Sequence, residues 1–153
     1  EPTTNEINQR LTDFYWPYHN KIEELIKQLK KNYPKVFFWD AHSIRRKVDK
    51  ISKNPFPDLI LGDNDNKTAH ISFIETALDA LSNTGLEVKH NHPFKGGHIT
   101  RSKGDPDNNI HALQLEMAKD LYMSDNETVY DKKKAETLKQ LLKSTFHQLI
   151  KLL

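Results

Sequence analysis

Apolar positions recur along the chain at two spacings, and each spacing marks an element. Ile7, Leu11, Phe14, Tyr15, Tyr18, Ile22, Leu25, Ile26 and Leu29 share one helical face, with Lys and Glu opposite. Thr3-Thr4-Asn5-Glu6 forms a capping box that starts this helix: the Thr3 hydroxyl binds a free first-turn amide and Glu6 reaches back. Pro17 lacks an amide donor and crowds the preceding turn, which predicts a kink near Trp16 without loss of the common face. The helix ends before Pro34.

Shorter apolar runs follow. Val36-Phe37-Phe38-Trp39, ended by Asp40, and Asp58-Leu59-Ile60-Leu61-Gly62, bracketed by Pro57 and Asp63-Asn64-Asp65-Asn66, read as buried strands. Ile71, Ile74, Ala77, Leu78 and Leu81 mark a helix stopped by Asn83-Thr84-Gly85, and Leu86 to His90 reads as a third strand. Asn91 to Asn109 is dense in Gly, Pro, Asp and Asn, and its cations and rings predict a functional loop. Ile110 to Met123 carries both periods and reads as a strand followed by a helical turn. Leu138, Leu141, Leu142, Thr145, Phe146, Leu149, Ile150 and Leu153 give the buried face of a C-terminal helix, entered through a solvated run of three lysines. Alternating strands and helices predict a three-layer α/β arrangement in one domain, 1–153.

Composition narrows the function classes. Hydrophobic residues make up 36% of 153 and charged residues 29%, which leaves a lean core and no apolar run long enough to span a bilayer. The 23 basic and 21 acidic side chains leave a formal charge of +2, which argues against a mainly electrostatic nucleic-acid binder despite Lys132-Lys133-Lys134. Zero cysteines exclude a disulfide scaffold, a thiolate nucleophile and Cys-ligated zinc, and fit a reducing, cytoplasmic location. His, Asp and Glu remain as strong metal ligands.

His42 stands just past a strand, where open α/β sheets place ligand-handling groups. His90 and His92 would face one side of an extended segment, with His98 as a third nitrogen, but Pro93 ends any strand there and ordinary surface histidines explain the spacing. Glu116 lies in an apolar segment, where burial would raise a carboxyl pKa toward the range of a general base. Arg45, Arg46, Lys95 and Arg101 are loop cations suited to clamping carboxylates or to plain solubility. Gly96-Gly97 permits close backbone approach without forming a phosphate loop.

Five ordered blocks then coincide with one family. Tyr15-Trp16-Pro17-Tyr18-His19, Trp39-Asp40-Ala41-His42-Ser43-Ile44-Arg45, Phe56-Pro57-Asp58-Leu59-Ile60-Leu61-Gly62, Asn91-His92-Pro93-Phe94-Lys95-Gly96-Gly97-His98-Ile99-Thr100-Arg101, and Ala112-Leu113-Gln114-Leu115-Glu116 with Leu121-Tyr122-Met123 resemble the N-formylglutamate amidohydrolases. That resemblance implies a mostly parallel three-layer sheet similar to the zinc carboxypeptidase and aspartoacylase group, with zinc held by two early ligands and one later histidine. It makes His42 the later zinc ligand, Glu116 the carboxylate that activates water, and Arg45, Arg101, Lys95 and Asn91 the groups that hold a dianionic small-molecule substrate. The implied reaction is hydrolysis of N-formyl-L-glutamate to formate and L-glutamate, late in histidine breakdown.

The match falls on the later part of a family member, and the two early ligands have no counterpart before Glu1. A sheet short of its first strands would expose apolar faces, so the chain is expected to self-associate or to need a missing N-terminal segment. A fragment of a larger hydrolase is the leading expectation. The alternatives are a catalytically inactive relative that binds a small acidic ligand through Arg45 and Arg101, and a helical interaction or nucleic-acid protein using the terminal helix.

Overall fold

The computed structural model describes residues 1–153, which group into two compact units, Glu1–Val36 and Phe37–Leu153. The first unit is helical. Helix α1 (Thr4–Arg10) opens with the expected capping box, Glu6 N–H donating to Thr3 Oγ1 and Thr3 N–H to Glu6 Oε2. A π-helical stretch, Leu11–Tyr15, leads into α2 (Trp16–Asn32). Near Trp16, where the sequence predicts a kink, the structure has this widened turn, closed by an i→i+5 bond from Trp16 N–H to Leu11 O. It falls just before Pro17, which has no amide to continue the ordinary ladder. The ring of His19 lies tilted against Tyr15, with centroids 4.1 Å apart.

The second unit is built on a four-stranded sheet of order β1-β4-β2-β3, comprising β1 (Val36–Ile44), β2 (Leu59–Gly62), β3 (Val88–His90) and β4 (Ile110–Ala118). Strands β2 and β3 are parallel, joined by the crossover helix α3 (Ile71–Ser82), whereas β4 runs antiparallel to β2. The sheet is therefore mixed, with the parallel β2–β3 pair beside the antiparallel β2–β4 pair. The β2-α3-β3 segment supplies the crossover that this parallel pairing requires.

Period-two alternation sorts the sheet into two faces. Leu59 and Leu61 of β2 and Leu113 and Leu115 of β4 pack with Phe73, Ile74, Ala77 and Leu81 of α3 and Leu149 of α5 (Lys132–Leu149). On β1, Phe37 stacks on Phe73 at 5.3 Å and Trp39 meets Phe146 edge-on at 5.2 Å. The apolar side chains of alternate strand residues thus build the core on one face. Asp40, His42, Gln114 and Glu116 are left on the other.

Three boundaries differ from the sequence expectation. Strand β1 runs on through Asp40 to Ile44, because an edge strand paired only with β4 tolerates polar residues that would end a central strand. The loop expected over Asn91–Asn109 contains a helix, α4 (His98–Lys103), bounded by Gly97 and Gly104. Finally, the three lysines lie inside α5: Asp131 caps the helix by accepting from Lys133 and Lys134 N–H, and its carboxylate offsets positive charge at the helix start. No helix is long and apolar enough to cross a membrane.

Candidate active site

The site begins with two residues on the same face of β1. His42 Nε2–H donates to Asp40 Oδ1 at 2.9 Å, and the other Asp40 oxygen, Oδ2, accepts from Thr100 Oγ1 of α4 at 2.8 Å. Asp40 is buried and Thr100 fully so, which fixes the carboxylate from two sides, while the imidazole stays 46% exposed. With Nε2 engaged, the tautomer that fits leaves the Nδ1 lone pair available to an electrophile.

Glu116 enters from β4, paired in register with Ile60. Its side chain is buried and makes no hydrogen bond within the protein. Burial pushes its carboxyl above the usual carboxylate range; the nearby imidazole of His42 draws it back, and the negative charge of Asp40 adds to the rise. A carboxylate poised in this way can take and return a proton.

The segment from Lys95 to Thr100 lies over this face. At Gly62 a Cβ would sit 2.6 Å from Gly96 N and 2.7 Å from Lys95 C, so only glycine allows the two backbones to approach. Gly97 N–H donates to Gln114 Oε1 at 2.6 Å, and Gly104 packs so closely on Thr68 that a Cβ would stand 2.6 Å from its carbonyl oxygen. Helix α4 is thereby held at both ends, and Thr100 is delivered to Asp40.

The structure brings His42 and Glu116 together, whereas the four substrate-binding candidates each make contacts with other residues. Arg101 lies in the last turn of α4, exposed, with Nε 3.3 Å from Gly97 O. Lys95 pairs with Asp65 at 2.7 Å at the surface. Arg45, immediately after β1, bonds Glu127 through Nε at 2.8 Å. Asn91, at φ 55°, ties β2 to β3: its Oδ1 accepts from Asp63 N and its Nδ2 donates to Asp63 Oδ1 at 2.7 Å. His90 bonds the fully buried Asp63, and His90, His92 and His98 build no metal cluster. Arg46 serves the fold: it clamps Asp120 through two nitrogens and reaches Asp58 and Phe56 O.

Asp40, Thr100 and Gln114 are site residues that the sequence reading did not single out. Their signal is present in the alternations Asp40-Ala41-His42 and Gln114-Leu115-Glu116, each of which puts two polar groups on one face. Thr100 carries no such mark.

A profile of the N-formylglutamate amidohydrolases matches residues 1–123. The chain belongs to this family. The N-formylglutamate deformylase of Pseudomonas aeruginosa PAO1 is 36% identical over 126 residues, 81% of this chain and 47% of that protein. That of Pseudomonas putida is 32% identical over 151 residues, 97% of this chain and 57% of its own. The chain thus spans about half the length of the family relatives it matches. The crystal structure of N-formylglutamate amidohydrolase from Ralstonia eutropha JMP134 shares the fold, with a TM-score of 0.83 over 97% of this chain and 55% of that one at 24% identity.

His42 suits one part of a zinc site: an imidazole whose second nitrogen donates to a carboxylate is the arrangement that orients metal-binding histidines. The full donor set is not gathered here, since no group of three or more His, Asp or Glu side chains could hold a metal ion.

Proposed function

We propose that this chain carries the proton-transfer half of an N-formyl-L-glutamate hydrolysing site, releasing formate and L-glutamate. The observation that supports this reading is the placement of His42, held by Asp40, and the buried Glu116 on one sheet face beneath α4. Glu116 takes a proton from the water that attacks the formyl carbon and returns it to the departing nitrogen as the C–N bond breaks. Asp40 and Thr100 keep the imidazole oriented. Arg101, Lys95 and Arg45 hold the substrate's two carboxylates, and Asn91 fixes the loop that carries Lys95.

Zinc belongs to the same proposal, with His42 as one ligand through Nδ1 and the others supplied from beyond the groups gathered around it. When bound, the metal contributes Lewis acidity toward the carbonyl and toward water. The three-layer arrangement, the kinship with zinc carboxypeptidases, the cytoplasmic setting and a place in histidine degradation are part of this reading too.

Formate release from N-formyl-L-glutamate by the zinc-supplemented chain tests it. Turnover that falls about a hundredfold or more in Glu116→Gln supports the reading. Turnover that survives that substitution overturns the role of Glu116, and the absence of any formate overturns the activity of the chain.

A further inference from the structure

Gln114 is 95% buried, yet only half of its amide is used. Its Oε1 accepts the Gly97 N–H at 2.6 Å, a bond that fixes which end of the amide is oxygen. Its Nε2 has no partner in the protein, and no buried side-chain nitrogen or oxygen is sealed away from both solvent and hydrogen bonds. Nε2 therefore opens onto the face that carries Glu116. Replacing the oxygen contact would leave Gly97 unpaired, so the amide cannot simply turn over.

We propose that Gln114 Nε2 is a substrate-binding donor that selects a carboxylate of the amino-acid portion. This rests on the hydrolase reading above and adds a specificity residue to it. Two residues along one strand face separate Gln114 from Glu116 by about 6.6 Å, so the group held at Gln114 lies a few bonds from the carbon attacked beside Glu116. In an N-formyl amino diacid the groups at that remove are the carboxylates. A neutral donor, locked by Gly97 and backed by Gly62 opposite it in register, donates to such an oxygen without adding a charge to the acidic surroundings of Asp40 and Glu116.

The test uses Gln114→Glu, which keeps an oxygen for Gly97 N–H and exchanges the donor for a negative acceptor. kcat/KM is measured for N-formyl-L-glutamate and its two mono-carboxamides, N-formyl-L-glutamine and N-formyl-L-isoglutamine. The preference for carboxylate over one carboxamide should fall about a hundredfold or more in the variant, because like charges now meet and the carboxamide NH2 gains an acceptor. An equal loss on all three compounds marks Gln114 as a loop anchor only and overturns the proposal. If the wild-type chain releases no formate, the hydrolase reading has failed separately. Calorimetric titration with L-glutamate, L-glutamine and L-isoglutamine then decides: a preference reversed by Gln114→Glu supports the donor role, and no binding or an unchanged preference overturns it.

Discussion

His42 Nε2 stands 2.9 Å from Asp40 Oδ1, two residues earlier on the same strand face, and the contact is backed by Thr100 on the far side of the carboxylate. Sequence spacing alone creates the pairing, since i and i+2 project together from a strand. Asp40→Asn removes the charge that favours the Nε2–H form while nearly preserving shape. On the proposed reading, in which His42 is one zinc ligand, metal affinity should fall about ten- to a hundredfold. Competition with a fluorescent chelator measures this, and unchanged affinity would show that Asp40 does not orient the ligand.

Glu116 costs stability in return for its chemistry. Its carboxyl is pushed above the ordinary 4.5, so the folded chain binds more protons than the unfolded chain in the window just above that value. Stability from this group is greatest below the window and is lost as pH rises through the folded pKa. Glu116→Gln should raise the unfolding temperature at pH 7 and give little gain at pH 4. Thermal unfolding at the two pH values checks it, and a variant less stable at pH 7 would contradict the burial argument.

Gly62→Ala drives a Cβ to 2.6 Å from the backbone of Gly96. Neither backbone can yield without moving the segment that carries Gly97 and Thr100. A loss of about 1–3 kcal/mol is expected in urea unfolding, with a fall in formate release beyond what the unfolded fraction explains. A fully active, equally stable variant would show that the close approach is dispensable.

Arg46→Lys tests the clamp below the site. Two parallel bonds to Asp120, a third to Asp58 at 2.6 Å and a fourth to Phe56 O require a planar fork, and the bond to Asp120 is the main cause that holds the guanidinium pKa above its ordinary value. A lysine ammonium cannot satisfy all of these at once. Denaturant titration should show a loss of about 1.5–3 kcal/mol. A change within error would mean that the network is redundant.

Elements with long, regular periods were legible in the sequence: the capped first helix, α3, α5, and β4 with the turn after it. The sequence also singled out His42 and Glu116, which the structure sets close together on one sheet face, while their chemical roles belong to the proposal. Helix α4 was not legible, because six residues between two glycines carry too little apolar periodicity to stand out from a loop. The extension of β1 was hidden because Asp40 and His42 read as a stop, when their polarity marks the functional face of an edge strand. The antiparallel direction of β4 and the contact of Thr100 with Asp40, sixty residues away in the chain, arise from tertiary pairing that local patterns do not encode.

Because core and chemistry alternate along β1 and β4, the frame of each strand is as consequential as its composition. Deleting a single residue ahead of Gln114 would carry Leu115 toward the water-facing side and thrust Glu116 among Phe73 and Leu149. Substitutions at Leu113 and Leu115 are then judged by volume and those at Gln114 and Glu116 by charge and hydrogen bonding. Insertions in the turns beyond the strand, by contrast, leave that parity untouched.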